Sequence, residues 1–212
     1  MKVGILGSGD VGKALGKGFV KHGHEVKIGS RDTSKLDAWV KENGAKASAG
    51  SFADAAKFGE LVVLATLGNA VESVIGLAGK ESFDDKVVID ATNPLKMEPN
   101  QLPQLSIAGN DSLGEQVQRW LPKAKVVKAF NTVGNAYMVD PKFEGGPPDM
   151  FIGGDYDGAK HTVTEILKSF GWGVVDLGGI SASRYLEPMC IVWVHHGIKS
   201  GKWNHAFKFL YA

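Results

Sequence analysis

The turn Gly7-Ser8-Gly9-Asp10-Val11-Gly12 constrains the fold of this chain more than any other segment. It follows the apolar run at 3–6 directly and opens the amphipathic stretch at 11–22. A G-x-G-x-x-G spacing therefore stands between a predicted strand and a predicted helix. Each glycine has a physical task in that setting. Gly7 permits the tight turn, Gly9 lets the main chain approach a pyrophosphate, and Gly12 lets helix and strand pack closely. Free N–H groups and the positive end of the helix dipole then hold the phosphates. A glycine turn without a ligand is the plain alternative. The setting of strand, helix and second strand favours a dinucleotide site.

The same alternation continues along the chain. Apolar runs at 3–6, 25–28, 61–66, 86–92 and 125–130 read as buried strands. Helical patterns at 11–22, 35–42, 70–79 and 112–121 separate them, with a weaker strand at 45–47 and a short helix at 52–58. Strands joined by helical crossovers predict an α/β fold with a doubly wound, mostly parallel sheet. Residues 131–148 carry Gly134, Pro141, Gly145, Gly146, Pro147 and Pro148, a turn-rich connection. A strand at 150–153, a helix at 157–170 and a strand at 173–177 are expected after it. The tail at 183–210 reads as helical in two pieces, broken near 197–201. The expected division is a Rossmann dinucleotide-binding domain at 1–139 and a smaller C-terminal part at 140–212 that completes a cleft.

Composition excludes several classes. Hydrophobic residues make up 43% and charged residues 22%, values of a folded chain rather than a disordered one. Twenty-four Lys and Arg against 23 Asp and Glu leave a formal charge of +1, with no strong field for nucleic acid or an acidic membrane. The single cysteine, Cys190, forbids an intrachain disulfide and a multi-cysteine metal site. No metal-ligand spacing and no basic-aromatic nucleic-acid signature stands out. The N-terminus shows no signal-peptide pattern, and the apolar runs are shorter than the roughly 20 residues a membrane helix needs. A reducing, cytoplasmic setting is expected.

The end of the second predicted strand selects between dinucleotides. NAD-preferring sites place an acid there, about 20 residues past the glycine turn, on the ribose hydroxyls. Here the strand ends in Gly29-Ser30-Arg31, with Lys35 four residues beyond Arg31. A serine hydroxyl and a guanidinium fork bind a 2′-phosphate that an acid would repel. Solvated surface charges are the plain alternative, and Asp32 dilutes the positive field. NADP(H) is expected over NAD.

Five segments occur together in one lineage. They are Gly7-Ser8-Gly9-Asp10, Gly29-Ser30-Arg31, Asp90-Ala91-Thr92-Asn93-Pro94, Val127-Lys128-Ala129-Phe130-Asn131 and Gly153-Gly154-Asp155. The chain resembles the coenzyme F420-dependent NADP oxidoreductase family, whose reductase-like domain also occurs in flavin-linked metalloreductases. The resemblance runs over residues 2–210. It implies NADPH bound across the strand ends and direct hydride passage between nicotinamide and a deazaflavin (F420) or flavin (FMN) ring. It carries Ser30, Arg31 and Lys35 to the 2′-phosphate and Ser8, Gly9, Asp10 and Val11 to the pyrophosphate. Ala65, Thr66, Leu67, Asn93, Pro94, Asn131, Thr132 and Val133 fall on the nicotinamide side. Those segments end the fourth, fifth and sixth predicted strands, where an open α/β sheet binds its ligand. Members with the deazaflavin role tend to follow the fourth strand with proline and tryptophan. This chain has Ala65-Thr66-Leu67-Gly68-Asn69, a departure that bears on the acceptor and not on NADP.

Hydride transfer between two rings built for it needs little acid–base help, so no catalytic residue is assigned. Two other readings stand beside it. A reductase of a small carbonyl or imine would need a proton donor, for which Tyr185, His195 and His196 are the candidates. Neighbouring helical residues diverge by about 100°, which disfavours both histidines facing one site. A non-catalytic NADPH-binding sensor is the other. Asp90 reads as an acid or as an organiser of adjacent backbone, Cys190 as a packing residue, and His22 and His24, astride Gly23, as a helix-end cation rather than a metal pair. Trp193 and Trp203 read as anchors of the tail, on the main domain or on a second subunit of a homodimer.

Overall fold

The computed structural model describes residues 1–212. β1 (Lys2–Leu6) leads through α1 (Asp10–Lys21) to β2 (Glu25–Gly29), and α2 (Asp37–Asn43) joins β2 to β3 (Ala47–Gly50). α3 (Phe52–Phe58) leads to β4 (Leu61–Leu64), and α4 (Val71–Ala78) to β5 (Val87–Asp90). After a small hairpin of β6 (Leu95–Lys96) and β7 (Gln104–Leu105), α5 (Leu113–Trp120) leads to β8 (Lys125–Lys128). β9 (Asp149–Ile152), α6 (Asp157–Ser169), β10 (Gly173–Asp176) and α7 (Ser183–Ser200) complete the regular structure.

Six strands form one parallel sheet in the order β3-β2-β1-β4-β5-β8. Side chains alternate across it as the two-residue period of a strand requires. Val3, Ile5, Leu61, Val63, Ile89 and Val127 enter one core with Leu15 and Phe19 of α1 and Val163 and Leu167 of α6. Leu6, Val62, Leu64, Val88 and Val126 enter the other with residues of α3, α4 and α5. Both faces are covered, so the strands are continuous apolar runs rather than alternating ones, as expected of a buried parallel sheet.

β9 and β10 form a second, two-stranded parallel sheet. It joins the main sheet through an antiparallel bridge in which Lys128 and Gly153 exchange backbone hydrogen bonds at 2.8 and 3.3 Å. Met150, Ile152 and Phe170 lie in the same core as Val3 and Phe19, so one apolar core spans both sides of position 139.

Two expectations require correction. The third strand lies at Ala47–Gly50 rather than 45–47, because Gly44–Lys46 is taken up by a 3-10 turn. The tail is one helix, α7, and not two. Gly201 ends it in the left-handed conformation at φ 69°, as C-terminal glycines commonly do. Residues 202–212 then form an irregular strap. Asp149 N–H donates to the Phe207 carbonyl at 2.9 Å, and Phe209 N–H to Asp149 Oδ2 at 2.8 Å. No helix is long and apolar enough to cross a membrane.

Candidate functional site

The glycine turn lies between β1 and α1, and its three glycines answer to different demands. Gly7 has φ 135°, and a Cβ there would stand 2.2 Å from the Ala65 carbonyl oxygen. A Cβ on Gly12 would stand 2.0 Å from the Gly7 carbonyl oxygen. Both must be glycine for the fold itself. Gly9 differs: its φ is −76°, which any residue adopts, and a Cβ there would meet nothing within 4 Å. Its missing side chain serves no contact within the protein. Gly9 also caps α1 without a side-chain bond, and the first helical hydrogen bond runs from Lys13 N–H to its carbonyl. The N–H groups of Asp10, Val11 and Gly12 are left unpaired beneath an open cradle that a side chain would fill. Such a helix start attracts a phosphate.

The loop after β2 folds against this turn. The Ser30 hydroxyl is buried, 3.0 Å from the Ser8 hydroxyl, and accepts from the Asp32 N–H at 3.1 Å. Arg31 is exposed and makes no hydrogen bond or ion pair, so its guanidinium fork is free. Asp32 turns inward on its own loop and accepts from the Ser34 N–H at 3.2 Å and hydroxyl at 2.6 Å. Those bonds, with Lys35 nearby, hold its carboxyl below the ordinary range. Lys35 stands 3.9 Å from Asp32. Arg31 thus stands free beside the buried Ser30, and Lys35 is half-committed to Asp32.

Three further loops meet at the carboxyl ends of β4, β5 and β8. Asn93 donates to the Asn131 carbonyl at 2.9 Å. Asn131 in turn donates to Asn93 Oδ1 at 3.1 Å and to the Leu186 carbonyl of α7 at 2.8 Å. These two asparagines interlock the loops after β5 and β8 and tie both to the last helix. Phe130, just before Asn131, has φ 63°. This conformation is strained for a bulky residue, and it is held here by burial against Phe170. After β4 the chain packs closely on the loop that follows β5. A Cβ on Gly68 would stand 2.1 Å from the Asn93 carbonyl oxygen, so the loop lies directly on Asn93 while Leu67 is 77% exposed.

Next to the glycine turn an open pocket of about 700 Å³ lies between Val133, Asn135 and Tyr137 on one side and Lys202 and Trp203 on the other. Val11 and Trp193 also line it. Trp193 donates to the His205 carbonyl at 2.9 Å, and the His205 ring returns a bond to the Trp193 carbonyl at 3.0 Å, which fastens the strap to α7. The Trp203 ring packs over Gly197, where a Cβ would meet it at 2.5 Å. The expectation that these tryptophans anchor the tail holds within one chain.

Comparison with known proteins gives this arrangement a family. A model described as NADP oxidoreductase, coenzyme F420-dependent, matches residues 2–94. A crystal structure from Arthrobacter sp. FB24, provisionally named an F420-dependent NADP reductase, superposes over 100% of both chains with a TM-score of 0.94 and 37% identity. The chain belongs to the coenzyme F420-dependent NADP oxidoreductase family. The F420-dependent NADP reductase of Methanocaldococcus jannaschii is 29% identical across 94% of this chain and 93% of its own length. Rat metalloreductase STEAP3 is 30% identical across 89% of this chain, but this chain spans only 36% of that protein. A reductive aminase from Aspergillus terreus, at 19% identity and a TM-score of 0.69, shares the fold.

Two of the segments that carry the family resemblance, at 90–94 and 127–131, also contribute to a buried charged cluster. Lys128, at the end of β8, is fully buried with its ammonium 2.9 Å from Asp90 Oδ2 and 2.9 Å from Glu187 Oε1. Burial alone would lower its pKa, yet the two carboxylates outweigh burial and raise it above the ordinary value. Sequence reasoning missed this. Asp90 was legible as an organiser, but Lys128 and Glu187 sit on separate elements. The available signal was a lysine inside an otherwise apolar strand. The candidate proton donors of the rival reading lie elsewhere: Tyr185, His195 and His196 are exposed on α7 and none lines the pocket. His22 closes α1 and meets Asp140 at 3.3 Å, and no cluster of metal-ligating side chains occurs.

Proposed function

We propose that this protein transfers hydride between NADPH and a soluble deazaflavin of the F420 class, with a flavin such as FMN as the second acceptor in order of fit. The observation that carries the reading is Gly9, a glycine that no contact within the protein requires, above three unpaired helix N–H groups. Ser8, Gly9, Asp10 and Val11, flanked by Gly7 and Gly12, hold the pyrophosphate through main-chain donors. Arg31, supported by Ser30 and Lys35, binds the 2′-phosphate, which selects NADPH over NADH. When bound, NADPH supplies the hydride. Ala65, Thr66, Leu67, Asn93, Pro94, Asn131, Thr132 and Val133 form the frame that fixes the nicotinamide end.

The pocket beside Val11 and Val133 receives the acceptor. Tyr137, Trp193 and Trp203 give it aromatic faces, which suit a flat ring, and Lys202 gives it a cation at the rim. Residues 140–212 act as the smaller part that closes this side of the cleft. The protein's own work is proximity and ring alignment with water displaced, and it asks for no acid–base dyad. The test is NADPH oxidation followed by absorbance, with deazaflavin and FMN in parallel and NADH as control. Turnover with deazaflavin exceeding that with FMN, and with NADPH exceeding that with NADH, is expected. NADPH binding with neither acceptor reduced would refute the proposal and favour a carbonyl, imine or sensor role.

A further inference from the structure

Three ionisable groups in one dry place need a reason. Lys128, Asp90 and Glu187 expose 0%, 0% and 1% of their surface. Desolvating such a cluster costs several kcal/mol per ion, and a well-packed apolar replacement is often as stable or more so. Stability alone is thus a weak reason for keeping it. Its connections are more informative. Asp90 Oδ1 accepts from the Thr92 N–H at 3.0 Å and hydroxyl at 2.6 Å, which fixes the first turn of the loop after β5. Glu187 Oε2 and Oε1 accept from the Leu113 and Gly114 N–H groups at 3.0 and 2.9 Å, at the positive start of α5. One ammonium therefore ties β5, β8, α5 and α7 together.

Those elements converge on the interlocked asparagines. Asn93 lies three residues beyond Asp90, and Asn131 lies three beyond Lys128. Asn131 also bonds to Leu186, the neighbour of Glu187 on α7. We propose that Lys128 is a positioning residue: its ion pairs with Asp90 and Glu187 set the spacing of the Asn93 and Asn131 loops and so hold the nicotinamide end at the distance hydride transfer needs. The proposal rests on the function argued above. Its content is separate, because it predicts an effect on alignment and not on affinity. The pyrophosphate and 2′-phosphate contacts lie on β1, α1 and β2, which the cluster does not touch.

The test uses the full chain. Lys128→Met alone strands two buried carboxylates and is expected to fold poorly. The informative variant combines Asp90→Asn and Lys128→Gln, which breaks both ion pairs, keeps an amide chain from residue 90 to residue 187 and leaves both Glu187 oxygens to accept from the start of α5. It should fold and bind NADPH within about threefold of the parent. Hydride transfer in a single turnover should fall about 10- to 100-fold, as expected of a misplacement near 1 Å. Independently of turnover, the fluorescence anisotropy of bound NADPH should drop, reporting a looser ring. Parental rate and anisotropy in the folded variant would overturn the proposal. So would an equal loss of affinity and rate, or failure of the double variant to fold, since the cluster would then serve binding or stability. Failure of the parent protein to bind NADPH would instead sink the underlying function.

Discussion

Gly9→Ala separates ligand demand from fold demand in the glycine turn. The added methyl meets no protein atom within 4 Å and requires no unusual backbone angle. The cost to the fold is the poorer N-cap, about 0.5–1 kcal/mol. In a chain of this size that lowers Tm by roughly 1–4 °C. The methyl does project where the pyrophosphate must approach, and overpacking of this kind costs about 1–3 kcal/mol. The dissociation constant for NADPH should rise about 5- to 150-fold. Gly12→Ala is the contrast: its Cβ would stand 2.0 Å from a main-chain oxygen, which only a backbone shift can relieve. A loss of about 3 kcal/mol or more is expected, or roughly 6–12 °C in Tm. Calorimetric titration and thermal melts on both variants check the pair. Unchanged NADPH affinity in folded Gly9→Ala would refute the cradle.

Four other outcomes follow from named contacts. Arg31→Ala removes a free guanidinium worth about 1.5–3 kcal/mol as a charge-assisted partner, so NADPH should bind about 10- to 100-fold more weakly while NADH changes little. Equal weakening of both would remove the 2′-phosphate assignment. Gly197→Ala should push Trp203 off α7, raising KM for the acceptor and shifting tryptophan emission while NADPH affinity stays level; an unchanged KM counts against the aromatic pocket wall. Burial pushes the Cys190 thiol up to about 11, so alkylation at pH 8 should proceed only on unfolding, and rapid labelling of native protein would contradict the packing of α7. Asp111, bonded by Arg119 at 2.7 and 2.9 Å, is lowered to about 2. The unfolded carboxyl takes up its proton near the ordinary value, before the folded one does. Its contribution is therefore present above that range and lost as pH falls towards about 2. Melts of Arg119→Ala should show a shallower acid loss between these values, and an identical profile would reject the link.

The fold was largely legible because its strands are buried on both faces. Runs such as Leu61-Val62-Val63-Leu64 need no tertiary knowledge to be read, and the helix at Phe52–Phe58 falls where expected because Ser51 and Asp54 form a capping box at its start. The third strand was misplaced because Ala45, Lys46, Ala47 and Ser48 carry little strand propensity to mark where it starts. The strap defeated pattern reading for a different reason. Trp203 and Phe207 are four residues apart, as on a helical face, but the aromatic residues have their partners elsewhere: Trp203 on Gly197 and Trp193, Phe207 and Phe209 on Phe151. At the site, the glycine turn and the Ser30-Arg31 corner announce themselves locally. The Lys128 cluster does not, since its members come from a strand, a second strand and a helix far apart in sequence, and only packing brings them together.

Isotope tracing follows the hydride itself in the proposed passage between the two rings. NADPH carrying two deuterons at C4 is mixed with protein and deazaflavin in ordinary water. Deuterium retained at C5 of the reduced deazaflavin is the predicted result, because the proposed alignment puts the two carbons in contact without a solvent-exchanging relay. Reduction with hydrogen drawn from water, or NADPH left unoxidised beside bound deazaflavin, would contradict the account.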